Sequence, residues 1–249
     1  MYKISTACPG KCILSGEHAI VYGHPAITMA LDVHTRVYGE YTHVGPQETV
    51  RIKFISEEKL PDMALPSDQF IEAMVPLVEK KMPAEVVHQG IKGVFAPELE
   101  MISLAFAFTL KHFNKYANCF SSRDFVTALA EHSAIVTIEA PIPQEAGLGS
   151  SASYFGALIL NFYAAMRKIL VDRVLSNSTG PYPDLPDPQN KQDIETRLEE
   201  MFIDMERVIH GQTTGVDVKT VLRGGMLAIT KEGVSKLITG QTADVDILL

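Results

Sequence analysis

An α+β fold, with helices packed on a mixed sheet, follows from three features of this chain. A strand-like stretch from His132 to Ala140 runs through a glycine turn into an apolar helix spanning Tyr154 to Leu170. Short strand-forming runs dominate the chain from Ile4 to Ile55, and Gly224–Ile229 with Ser235–Ile238 reads as a hairpin. Two more helical patterns complete the set: Glu98–Asn118, apolar nearly all round, and Ile194–Ile209, with one apolar stripe. With 249 residues and 46% apolar content, the chain is large enough to bury a full core around these elements.

The net charge of −8 argues against nucleic acid as a partner, because binding phosphate backbones needs a clustered positive field. A small polyanion remains compatible if backbone amides, a few local cations and a metal ion supply the countercharge. No apolar run reaches the ~18 residues of a membrane span, so no membrane partner is expected. Met1-Tyr2-Lys3-Ile4-Ser5 lacks the apolar core of a signal peptide. Three cysteines make no disulfide framework, and a reducing, cytoplasmic setting is the expectation.

In chain order, Ile4 and Ala7 open a strand-like start that leads into Cys8–His18. Ile20-Val21-Tyr22 and Ala26–Leu31 read as further short strands, broken by Gly23-His24-Pro25. Lys11, Glu17 and His18 stand among these apolar runs; Lys11 also reads as a surface residue, and His18 as a hydrogen-bonded core histidine. Cys8, Cys12, His18 and His24 offer zinc donor atoms, but not at a recognised ligand spacing. Val33 to Ile55 alternates weakly and ends in an edge or half-exposed strand, and Leu60–Ser67 reads as loop. Ser67 or Asp68 is placed to cap a helix carrying Phe70, Ile71, Met74, Val75 and Val78, with Pro76 kinking it.

The turn Pro143-Gln144-Glu145-Ala146-Gly147-Leu148-Gly149-Ser150-Ser151-Ala152-Ser153 organises the chain. A strand, a glycine turn and a helix start gather unpaired N–H groups and the positive end of a helix dipole at one point, which favours an anion. A plain tight turn with an N-capping serine is the bland alternative. A Walker A loop would need a lysine after the glycines, and a nucleophile elbow would need a second glycine after Ser151. Gly147, Gly149 and Ala152, with Asp172 further on, formally meet a dinucleotide fingerprint, although Pro141 and Pro143 separate the strand from the glycines.

Ser176–Gln192, with Gly180, Pro181, Pro183, Pro186 and Pro188, reads as a mobile segment. On the following helix Leu198, Met201, Phe202, Met205, Val208 and Ile209 form the stripe. At roughly 100° per residue, Glu206 falls at the edge between core and solvent, where most glutamates are simply solvated. His210-Gly211 ends that helix, and Asp217, after Gly215, reads as an ordinary N-cap.

Taken together, Ala7–His18, the Gly147–Ala152 turn, and Glu206–Asp217 with His210-Gly211 and Gly215-Val216-Asp217 resemble three ordered motifs of one superfamily. It is that of the galactokinases, homoserine kinases, mevalonate kinases and phosphomevalonate kinases (GHMP kinases). Gly16–Gly23 and the third stretch are similar to the mevalonate kinase family in particular. Glu145 stands where that pattern has a small residue, often glycine, and Gln212-Thr213-Thr214 stands where it has Asn-Pro-Ser.

The resemblance implies a GHMP-kinase N-terminal domain, similar to the second domain of ribosomal protein S5, over residues 1–225. Residues 226–249 would then be the first strands of an incomplete C-terminal domain, the glycine-rich third motif being absent from this sequence. It also implies phosphorylation of the C5 hydroxyl of mevalonate by ATP with Mg²⁺. Pro143, Glu145, Ala146, Gly147, Leu148, Gly149, Ser150, Ser151 and Ala152 would form the ATP phosphate loop. Ser151, with Ser150 as second candidate, and Glu206 would hold Mg²⁺. Asp217 would take or orient the substrate hydroxyl proton, and Lys11 would stabilise charge on the transferred group. Lys11, Glu17, His18 and Asp217 would contact mevalonate. The alternatives are a kinase of the same fold for another small alcohol and a nucleotide-binding module without turnover; a homodimer stays open as the assembly.

Overall fold

A computed structural model of the chain describes residues 1–44, 51–56, 63–66, 84–92, 97–114, 131–177, 191–211, 213–230 and 233–238. Its spine is one long strand, β2 (Ala26–His43). Thr35, Val37, Gly39 and Tyr41 turn inward there, while Arg36, Tyr38 and Thr42 face out, the period-2 alternation of a sheet with one covered face. β1 (Tyr2–Ser15) runs antiparallel along one edge of β2. The other edge is shared: β5 (His132–Glu139) pairs with Arg36–His43, and β6 (Met226–Ile229) pairs with Ala26–Met29. β3 (Arg51–Ser56) lies parallel to β5 and antiparallel to β4 (Met63–Pro66), which makes the sheet mixed. β7 (Val234–Ile238) closes the hairpin with β6.

Helices α1 (Ala84–Ile91), α2 (Pro97–Asn114), α3 (Ser150–Asn177), α4 (Lys191–His210) and α5 (Val216–Arg223) complete the described elements. α3 lies on β1 and β2, with α2 and α4 packed against it. One polar side chain fixes its seat. Asn161, fully buried, donates to the carbonyls of Ile4 and Val37, each at 3.1 Å, and accepts from the Tyr41 hydroxyl at 2.6 Å. Gly39 makes room, since a Cβ there would lie 2.4 Å from Asn161 Oδ1. Thr6 Oγ1 donates to the Ala157 carbonyl at 2.8 Å, and Ser153 Oγ to the Cys8 carbonyl at 2.6 Å. Such bonds add only about 1 kcal/mol each, but a buried group deprived of its partner is far more damaging. They therefore specify one rotation and height of α3 on the sheet.

Several elements differ from the sequence reading. Ile20-Val21-Tyr22 is no strand but part of a 3-10 turn, Ala19–Tyr22, set between Gly16 (φ 88°) and Gly23 (φ 89°). The left-handed glycines reverse the chain at both ends, and this local geometry overrides the β-preference of the branched residues. The expected loop Leu60–Ser67 contains β4, with Pro66 at its end, where a missing N–H is tolerated. β3 is an inner strand rather than an edge, because β4 flanks it. The helix expected after Ser67, and residues 178–190 of the expected mobile segment, lie outside the described residues.

Gly156, the lone breaker in the apolar run of α3, has a packing reason. A Cβ at this position would lie 2.6 Å from the Phe202 ring and 2.8 Å from Cys8 Sγ. Gly156→Ala is therefore expected to destabilise the protein by about 1–3 kcal/mol through overpacking, despite alanine's better helix propensity. Urea unfolding checks this; a neutral or stabilised variant would show that α4 and β1 yield at this point.

Candidate active site

The glycine turn is built by backbone sign changes. Glu145 (φ 58°), Gly147 (φ 72°) and Gly149 (φ 70°) are left-handed, while Ala146 and Leu148 between them are not. Such alternation gathers successive N–H groups into an anion-binding concavity, and here it leads directly into the first turn of α3 at Ser150. Pro143, Gln144, Glu145, Ala146 and Gly147 are exposed, and Leu148, Gly149, Ser150 and Ser151 are half-buried. The amides of the turn thus stand at an accessible surface. Ala152 faces the core. Ser153, which the sequence reading included at the end of the turn without a role of its own, is fully buried and bolts this helix start to β1.

β1 runs beneath the turn. The Lys11 N–H donates to the Leu148 carbonyl at 2.8 Å, and a Cβ on Gly10 would lie 3.0 Å from that same oxygen. The stem of Lys11 passes under Gly149, where a Cβ would sit 2.5 Å from Lys11 Cγ. Glycine is required at 149 twice over, by φ and by this contact. Lys11 is only 6% exposed, contrary to the surface reading, and its Nζ meets Asp217 Oδ1 at 2.9 Å. A buried ammonium needs such a partner.

Asp217 is not the N-cap of α5. Gly215, in the left-handed region at φ 68°, holds that place, and Asp217 lies inside the first turn. Its carboxylate is thereby free to turn to Lys11 and also complements the helix dipole. Glu206 is likewise displaced from its expected rim position: it is buried, at 7% exposure. α5 packs against α4, a docking that the helical angle alone does not reveal. Burial pushes the Glu206 carboxyl up to about 7; the Thr213 hydroxyl bonded to it and the charge of Lys11 pull down, and Asp217 pushes up. Glu206, Lys11 and Asp217 thus share one electrostatic cluster beside the glycine turn. The Ser151 hydroxyl and Glu206 carboxylate are oxygen donors of the kind a hard divalent cation takes.

Glu17 and His18 are exposed in the turn that follows β1, so His18 is not a core histidine. Thr213, whose hydroxyl meets Glu206 and whose oxygen accepts the Gly215 N–H at 2.9 Å, carried no signal in periodicity and stood out only as part of the Gln212-Thr213-Thr214 departure from the family pattern. The dinucleotide fingerprint fails on topology. It needs a helix linking parallel neighbouring strands, whereas the next described element after α3 is the helix α4.

No family model matches the chain. It is similar to a mevalonate kinase of Gibberella zeae, 26% identical over 245 residues that cover 92% of this chain and 44% of that protein. Among solved structures, Methanococcus jannaschii mevalonate kinase matches with a TM-score of 0.55 at 20% identity, over 96% of this chain and 56% of that one. Lactococcus lactis galactokinase, solved in complex with galactose, matches with a TM-score of 0.52 at 15% identity, over 94% and 46%. The chain has the GHMP-kinase fold. Its sequence resembles the mevalonate kinases over most of its length, and it spans about half the length of the curated relatives it matches.

Within this GHMP-kinase fold the raised Glu206 pKa has a measurable consequence. The folded state holds the Glu206 proton more tightly than the unfolded state, where the ordinary value is 4.5. The group's stability contribution is therefore complete below that value and lost as pH rises through about 7. Measured in a chelator, Glu206→Gln should exceed the wild type by about 3 kcal/mol near pH ~8, the gap closing toward pH ~5. Denaturant unfolding at both pH values checks it, and a gap that does not change with pH refutes it.

Proposed function

We propose that this chain carries the nucleotide site of a kinase that transfers the γ-phosphoryl group of ATP to a small alcohol. The acceptor is the C5 hydroxyl of mevalonate, with 5-phosphomevalonate and ADP as products on the route to isoprenoid precursors. The observation that carries this reading is the pairing of buried Lys11 with half-buried Asp217, set directly against the glycine turn. Phosphoryl transfer asks the protein mainly for positioning and charge neutralisation, and these are what the cluster offers.

Backbone N–H groups from Gly147 to Ser151 hold the β- and γ-phosphates, with Pro143, Glu145, Ala146 and Ala152 shaping the loop around them. The substrate hydroxyl oxygen attacks the γ-phosphorus, the bond to the β–γ bridging oxygen breaks, and the hydroxyl proton passes to the Asp217 carboxylate. Lys11 Nζ, already held at Asp217, stabilises negative charge on the transferred group without reorganising. Glu17 and His18, exposed beyond β1, bind polar groups of mevalonate. Ser151 and Glu206 would hold Mg²⁺; the fit rests on Glu206, a buried carboxylate whose ionised form needs added positive charge. When bound, Mg²⁺ neutralises charge on the phosphate oxygens.

A second acceptor class has one observation behind it. The match to the galactokinase, with a TM-score of 0.52, is nearly as good as the match to the mevalonate kinase at 0.55. Fold similarity therefore does not choose the alcohol, and the sequence likeness to mevalonate kinases is what supports mevalonate. ADP release across mevalonate, phosphomevalonate, galactose and homoserine separates these acceptors. Mg-ATP binding without turnover on any of them would favour a nucleotide-binding module. Asp217→Asn should lower turnover by about 100-fold or more while Mg-ATP binding persists, read by steady-state kinetics and calorimetry. Near-normal turnover in this variant would remove Asp217 from the proton-accepting role.

A further inference from the structure

Thr213 sits in the short connection between α4 and α5 and joins the two helix ends through a single hydroxyl. Its proton goes to Glu206 Oε2, and a lone pair of the same oxygen accepts the Gly215 N–H at 2.9 Å. A hydroxyl offers one donor and two acceptor sites, so both bonds coexist. One end of this bridge is the carboxylate proposed to hold the metal ion. The other is the left-handed N-cap that starts α5, two residues before Asp217. Thr214 is exposed. The proline that the family pattern places at 213 has no hydroxyl, so this chain makes the connection by means of its own.

We infer that Thr213 is a positioning residue that locks the Glu206 carboxylate and the start of α5 into one arrangement, so that the metal–nucleotide complex meets a preformed oxygen donor. The inference rests on the nucleotide-kinase reading above and deepens it. Left to itself, a glutamate near a helix end samples several rotamers. Tied through Oε2 to a hydroxyl that is itself tied to the backbone, it keeps one. Residues that orient a metal ligand in this way influence metal affinity about 10–100-fold. Thr213 touches neither substrate nor phosphate in this scheme and acts through Glu206.

The test is calorimetric and does not depend on turnover. ADP affinity is measured with Mg²⁺ and in chelator for the wild type, Thr213→Val and Thr213→Ser. The wild type should gain affinity with Mg²⁺. Thr213→Val should lose about tenfold of that gain while binding metal-free ADP within about twofold of the wild type, and Thr213→Ser should keep the gain. Should the valine variant fail to fold by circular dichroism, Thr213→Ala takes its place with the same expectation. The inference falls if the hydroxyl-free variant keeps the full gain, or if serine loses as much as valine, which would make the methyl group the working part. A wild type that shows no Mg²⁺-dependent gain overturns the nucleotide-kinase reading itself and the role of Thr213 with it.

Discussion

A lysine ammonium held out of water must meet a fixed negative charge, and the arrangement of this molecule around Lys11 follows from that requirement. Leaving such a charge unpaired in the interior costs several kcal/mol. Asp217 must therefore arrive within reach of Nζ, and it comes from a helix start far along the chain. The same lysine's backbone N–H is committed to the Leu148 carbonyl, which ties β1 to the glycine turn. Its methylene stem occupies the volume a side chain at position 149 would need. Three segments distant in sequence are thereby set by one residue.

Legibility from the sequence divides along physical lines. The glycine turn and the helix after it could be read because the residues that build them are neighbours and each has a local reason to be there. The α4 stripe could be read because Leu198, Met201, Phe202 and Met205 all bury, as a 3.6-residue period requires. Glu206 could not be placed by the same rule. Periodicity gives an angle around the helix, and whether solvent or another helix lies at that angle depends on where α5 docks. Asp217 illustrates a related failure: its spacing after a glycine fits an N-cap, but the left-handed Gly215 takes that role and leaves the carboxylate for Lys11. Pairing across the sheet was equally out of reach, since β4 and the shared edge of β2 are set by partners remote in sequence.

Glu145 shows how a departure from a family pattern can be accommodated. Its φ of 58° lies where glycine is at ease and an L-residue carries strain. This accounts for the small residue common at that place in related kinases. Its side chain is exposed, so its charge is screened by water rather than confined within the turn.

The shared edge of β2 bears on how the molecule is made. Ala26 finds its hydrogen-bonding partner in Ile229, nearly at the other end of the described chain. A ribosome delivers the first half of β2 long before it delivers that partner, and contacts so remote in sequence slow folding through loop-closure entropy. The nascent chain must therefore carry an unfinished sheet edge until Ile229 has been made.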